Sequence, residues 1–451
     1  MNPRAIPANV ESRAALGVAL RTGFGYIVGA ILLTLWMRAL SVAGIGFSRA
    51  AIGAPLLVAA AGLMFWAARN GRISLADFGA TVSALFHPTL KRWQNVMWIA
   101  VIAWLAVHFV LMAAEVAWRP LYPWDAWVQW ATKARVWYEL GHIAPFVHAH
   151  EWLAGAGNAY TDASPYYPAT VPLLQVRTCV VLGRWDDSAM NWPWPAMLIA
   201  LTLALYGALR GEGIAPLTAL FGAYFLATLP LVDAHVALAG YADLPMAAVY
   251  GMAAIALYRW SVRRDARDAA VAIFLAVACP MIKNPGWIWA LTLVPGVMVV
   301  LIPRRGFRVV GVCFVLGILA FLLIARAKPT ILGYHLNIDF NPAWRQLIKS
   351  YYLMGNWNLL WYAVLALIIF GWRRLREPPL VPLTAIAAAG LLFLGMVFSF
   401  TNAATWIFDL TTANRASMHL APILVFLGIL TWQRLTEAPA SAAPAAAPGM
   451  P

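Results

Sequence analysis

Long apolar runs alternate with short polar breaks along almost the whole chain. The runs lie near 24–44, 50–68, 96–114, 193–209, 214–232, 243–260, 269–283, 285–302, 308–325, 357–372, 380–400 and 418–433. About 20 mostly apolar residues carry a helix across the hydrocarbon of a bilayer. The pattern therefore predicts an all-α polytopic membrane protein with about 12 transmembrane helices. Only Lys283-Asn284-Pro285-Gly286 separates the seventh run from the eighth, and the seventh is short. Three longer polar segments, near 115–192, 327–356 and 401–417, read as loops on one face, the first large enough to carry short interfacial helices. Residues 1–437 form one predicted transmembrane domain. Residues 438–451, APASAAPAAAPGMP, read as a disordered Ala/Pro-rich tail. The opening MNPRAIPANVESRAAL is too polar for the apolar region of a cleavable signal peptide.

Composition supports lipid as the solvent. Of the 451 residues, 63% are hydrophobic and 11% charged, where a soluble domain carries about 25% charged residues. The formal charge of +14 does not indicate nucleic-acid binding, because the basic residues are scattered through short loops with no recognition motif. They gather in alternate loops, as at Arg69, Arg72, Lys91 and Arg92, at Arg263, Arg264 and Arg267, and at Arg373, Arg374 and Arg376. By the positive-inside rule these loops and both termini face the cytoplasm. The opposite, outer face then receives Asp125, Asp162, Asp186, Asp187, Asp233, Asp243, Asp339 and Asp409. Cys179, Cys279 and Cys313 have no metal-ligand spacing and suggest no disulfide framework.

Candidate chemistry lies at the outer ends of the runs. In YPWDAWVQWATKARVWYELGHI (122–143), Trp127, Trp130, Ala134 and Trp137 recur on one helical face. This predicts a helix along the outer membrane surface, its Trp face toward lipid and Lys133 and Arg135 within reach of lipid phosphates. Asp125 opens that helix, either as an N-cap or as a general base. In YTDASPYYPATVPLLQ (160–175), prolines stiffen a path back to the membrane. Asp162, Tyr166 and Tyr167 there are candidate sugar contacts, and a plain re-entry loop is the alternative.

In GYADLPMAAVY (240–250), Asp243 stands at the mouth of a run, as a functional carboxylate or as a cap before Pro245. Lys283 sits in a broken turn that could bind an anion, or it snorkels to the headgroups. TTANRASMHLAP (411–422) supplies Asn414, Arg415 and His419. Arg415 suits a bidentate phosphate contact or an interfacial anchor. No HExxH, Walker A, GxSxG or CxxC motif occurs, which weakens the cases for an ATP-driven pump, a zinc protease and a serine hydrolase.

The order of these pieces resembles the C-type membrane glycosyltransferase superfamily, in its bacterial branch near protein O-mannosyltransferases and the lipid A aminoarabinose transferase. The likeness runs from about residue 96 to 433. It rests on Trp124-Asp125-Ala126-Trp127, Tyr166-Tyr167-Pro168, Gly240-Tyr241-Ala242-Asp243-Leu244-Pro245, Lys283-Asn284 and Asn414-Arg415. Two departures stand out. The acid that usually follows the first is replaced by Ala126, and the runs 24–44 and 50–68 precede the loop-bearing one. The resemblance implies a transferase of the bacterial inner membrane that moves a sugar from a polyprenyl-phosphate donor to an extracytoplasmic acceptor, with inversion. Asp125 would be the general base and Asp243 a supporting acid that positions sugar or acceptor. Lys283 and Arg415 would hold the phosphate, with Tyr166, Tyr167, Asp162 and Asn414 as further substrate contacts. Expected partners are the donor, membrane lipids and an acceptor glycan, lipid or protein. No organic cofactor is implied, and no ligand set is assigned to a divalent metal. The rival reading is a transporter, flippase, or O-antigen ligase or polymerase acting on lipid-linked glycans.

Overall fold

A computed structural model describes residues 10–70, 90–155, 157–302, 305–327, 330–331, 334–335, 337–338, 340–408 and 410–437. The predicted tail 438–451, the opening residues 1–9, and Asp339 and Asp409 lie outside the described residues. Helices dominate. Among the described residues the strands are two two-residue pairings, Phe146–Val147 with Tyr160–Thr161 and Thr330–Ile331 with Tyr334–His335.

Each of the apolar runs is helical, yet fewer than twelve could cross a bilayer on length and composition alone. Five helices qualify singly: Gly17–Val42, Arg49–Arg69, Arg92–Trp118, Ala189–Gly211 and Val381–Phe400. Two further crossings are possible as bent pairs, Pro216–Ala227 with Pro230–Ala237 (56°) and Thr412–Met418 with Ala421–Thr436 (53°). The first break has a clear local cause. Pro230 lacks the N–H that would continue the ladder, so it starts a new helix. The run predicted at 357–372 yields only Leu360–Phe370, too short for a straight crossing.

The Asp243–Arg263 helix forms the centre of the bundle. Every residue from Asp243 to Arg259 is buried, and it packs on Pro193–Gly211, Ala266–Ile282 and Ala421–Thr436. Its sequence explains this position. Ala and Gly recur along DLPMAAVYGMAAIALY, so neighbouring backbones approach closely. The first helix packs on Pro193–Gly211 in the same way: a Cβ on Gly23 would lie 2.3 Å from the Ala200 carbonyl oxygen, and one on Gly207 2.5 Å from the Leu20 nitrogen.

The 115–192 segment is folded rather than merely interfacial. A helix predicted at 122–143 is present from Trp124 to Leu140, with a π-helical stretch at Ala126–Ala131, and it ends at Gly141 in the left-handed conformation (φ 72°). Its Trp stripe does not face lipid as the periodicity suggested. Trp130 and Trp137 are buried, and only Trp127 of the three is exposed. Trp130 stacks on Tyr167 at 5.0 Å, and Trp137 donates from Nε1 to the Ala144 carbonyl at 3.0 Å. Around Trp137 a small core assembles from Met37, Leu40, Ile52, Phe146 and Leu173. The stripe marks the packing face of this helix, since the re-entry loop and the first two helices cover it.

Lys133 also departs from expectation. It lies buried on that covered face, 2.5 Å from Asp162, and donates to the Ser164 carbonyl at 2.7 Å. Burial lowers the Lys133 pKa and raises that of Asp162, with their mutual attraction opposing both shifts.

Candidate functional site

Four segments of the chain meet at one end of the bundle. Asp125 follows the C-terminus of Arg92–Trp118, Asp243 begins the central helix, Lys283 closes Ala266–Ile282, and Arg415 lies in Thr412–Met418. Antiparallel helices alternate their termini at each end of a bundle, so these points share one depth.

The side chains make a continuous network. Arg415 donates from Nη1 to Asp125 Oδ2 at 2.6 Å and from Nε to Asp243 Oδ2 at 2.9 Å. Its Nη2 is also 2.9 Å from Asp243 Oδ2. Lys283 Nζ donates to Asp243 Oδ1 at 2.7 Å. His419 Nε2 comes within 3.4 Å of the same oxygen without making a hydrogen bond, and its ring stands edge-on to Trp289. The Arg415 guanidinium also lies 4.3 Å from the centre of the Tyr241 ring, a cation–π contact.

The two acids differ in access. Asp243 is 0% exposed, and its carboxylate is occupied by Arg415 and Lys283. It therefore holds the two cations, and both of its oxygens are already engaged. Asp125 is partly exposed, and Arg415 is its one ion-pair partner among the described residues. Neither acid caps its helix through its side chain. The paired charges of Asp125, Asp243, Arg415 and Lys283 cancel. A buried carboxylate without such partners would be very costly.

Local backbone features hold this arrangement. Gly240 has φ 104°, a conformation that L side chains rarely adopt, and a Cβ there would lie 2.8 Å from Ala126 Cβ. The Gly240 turn thereby sets Tyr241 against Arg415 and brings the central helix up to the π-helical stretch. A second π-helical stretch, Lys349–Leu353, braces the other side of Arg415. Ser350 Oγ accepts from Asn414 Nδ2 at 2.6 Å, and the hydroxyls of Tyr351 and Ser417 share a hydrogen bond of 2.6 Å. Single π-turns of this kind occur often at functional sites. The three polar segments 115–192, 327–356 and 401–417 thus converge, as their pattern predicts.

The remaining sequence candidates lie elsewhere. Asn414 is buried and internally satisfied: it also accepts from Trp357 Nε1 at 2.8 Å and donates to the Leu410 carbonyl at 2.6 Å. Its bonds tie the helix that carries Arg415 to Ser350 and Trp357. Asp162 is enclosed with Lys133, and Tyr167 stacks on Trp130. Tyr166 is exposed, with His148 edge-on at 5.1 Å. Among the described residues no group of three or more His, Cys, Asp or Glu side chains is placed to hold a metal ion.

Sequence reasoning passed over Tyr241 and His235. Tyr241 stands in the quoted GYADLP motif, immediately after the turn glycine, and that was the available signal. His235 is buried beside the Tyr241 ring, bonded through Nδ1 to the Leu231 carbonyl at 2.8 Å. An open cavity of about 360 Å³ adjoins the network, lined by Tyr122, Pro123, Trp124, Trp127, Leu238 and Tyr241. The chain matches no protein-family model, no curated protein and no solved structure.

Proposed function

We propose that the chain is a membrane glycosyltransferase that moves a sugar from a polyprenyl-phosphate donor to an extracytoplasmic acceptor, with inversion at the anomeric carbon. The observation that carries this reading is the Asp125–Arg415–Asp243–Lys283 network beside an open cavity. It places a partly accessible carboxylate and two cations together at the end of apolar helices. A lipid-linked donor presents its scissile bond at that depth.

In this reading the acceptor hydroxyl attacks the anomeric carbon and a new C–O bond forms. The bond from the anomeric carbon to the phosphate oxygen breaks, and its electron pair leaves with the polyprenyl phosphate. Asp125 takes the hydroxyl proton. Arg415 has donors beyond those given to the two acids, and Lys283 has two N–H bonds beyond the one to Asp243. Those free donors meet the negative charge that grows on the leaving phosphate. Asp243 keeps both cations in place, which spares any reorganisation during reaction.

The reading sets the protein in the bacterial inner membrane with both termini in the cytoplasm and about twelve spans, of which the five single helices and two bent pairs supply seven. The acceptor is a glycan, lipid or protein outside. The test is a transfer assay with purified protein in detergent and a panel of radiolabelled polyprenyl-phosphate sugars. Label passing from one donor to an acceptor supports the reading. No transfer from any donor, with the lipids carried unchanged across a vesicle membrane, favours the transporter alternative.

A further inference from the structure

We infer that the cavity bounded by Tyr122, Trp124, Trp127 and Tyr241 is the stacking subsite for a single donor pyranose. This rests on the transferase reading and names the group that the site accepts. Trp124 and Trp127 flank Asp125 in sequence, are both exposed, and meet edge-to-face at 5.1 Å. Their faces suit the C–H groups of a sugar ring, while two indole N–H groups and the hydroxyls of Tyr122 and Tyr241 suit its oxygens. Four of the six lining residues are aromatic, with Leu238 and Pro123 completing the wall.

Continuity with the charged network gives the direction. Tyr241 lines the cavity and also lies against Arg415. Tyr241 therefore joins a phosphate held on Arg415 to the cavity that would take the attached ring. At about 360 Å³ the cavity lies near the lower end of the roughly 300–1,000 Å³ typical of small-molecule sites. The space suits one sugar ring.

The experiment measures equilibrium binding of two kinds of probe to full-length protein in detergent. One is bare undecaprenyl phosphate; the other is undecaprenyl phosphate bearing mannose, glucose or aminoarabinose. The wild type is expected to bind at least one sugar-bearing lipid more tightly than the bare one. The double variant Trp124→Leu/Trp127→Leu is expected to lose that preference by about 3- to 10-fold, the scale of aromatic contacts, with bare-lipid binding unchanged. Trp124→Phe/Trp127→Phe should restore most of it, and near-normal melting should show that both variants fold. The subsite is refuted if the wild type shows no preference, if the preference survives in the leucine variant, or if both lipids weaken alike. The last result would mark a tail groove. Failure to bind either lipid phosphate would remove the transferase reading itself, and the subsite with it.

Discussion

At one end of the bundle Glu377 bridges Arg374 and Arg434, each at 2.8 Å. At the other, Asp243 bridges Arg415 and Lys283 at 2.9 and 2.7 Å. Arg415 and Arg434 belong to one bent helical pair, and the residues between them span about 28 Å at 1.5 Å per residue. The same chemistry thus recurs at two ends of one element. Its surroundings differ. Glu377, Arg374 and Arg434 are each about a third exposed, and such pairs contribute about 0–1 kcal/mol. At that end a partly exposed pair joins Arg263 to Glu212, and a more buried single pair joins Arg259 to Asp268. Asp243 is wholly enclosed, and its partners come from two other elements.

Burying an ion pair gives little stability relative to apolar packing, because desolvation offsets the attraction. The Glu377 end is held by separate or partly exposed pairs and, among the described residues, has no fully enclosed carboxylate bridging two cations. The enclosed network therefore calls for a reason other than stability. An open aromatic cavity beside it, and two π-helical stretches braced around Arg415, supply one. Sites of this kind give up backbone regularity to hold charges where chemistry needs them.

The sharpest way to break the comparison is to remove one charge at each end. Asp243→Asn leaves Arg415 and Lys283 without their shared counter-charge, and we expect a loss of about 3–5 kcal/mol, read as a fall in the melting temperature of detergent-solubilised protein. A loss under 1 kcal/mol would mean that the Asp243 end is an ordinary staple. Gly240→Ala should cost about 1–3 kcal/mol from the strained φ, with the clash against Ala126 adding to it. It should also reduce activity by displacing Tyr241, and unchanged melting and activity would show that the turn does not set the site. The smallest effect is expected from Glu377→Gln, which removes two partly exposed pairs. It should change stability by no more than about 1 kcal/mol and leave transfer unaltered. A transfer defect in that variant would dissolve the distinction between the two ends.

The placement of Asp125, Asp243, Lys283 and Arg415 was legible in the sequence because each charge stands at the edge of an apolar run. Run edges in alternate directions must gather at one face, so the convergence followed from the pattern. Coverings were not legible. The periodicity of Trp127, Trp130 and Trp137 marks an apolar face, but lipid and protein interior are equally apolar. Only the fold shows that the re-entry loop, with Tyr167, covers Trp130. Lys133 and Asp162 were read separately because nothing local ties residues 29 positions apart (162 − 133). Asn414 was read as a substrate contact beside Arg415, and the sequence does not show that Ser350 and Trp357 close over it from a distant segment. Run length alone also does not show which runs cross singly: Asp243–Arg263 is sheathed by protein and can tolerate Asp243 and Arg259.

The central claim is that the enclosed network is catalytic and that Asp125 is its base. The most direct measurement is the transfer rate of Asp125→Asn with the donor that the wild type uses, alongside its melting curve. The amide keeps the shape and can still accept from Arg415, so folding is expected to remain near wild type. Transfer should fall about 10²–10⁴-fold, the usual contribution of a positioned general base. Transfer at the wild-type rate by a normally folded Asp125→Asn protein would contradict the account.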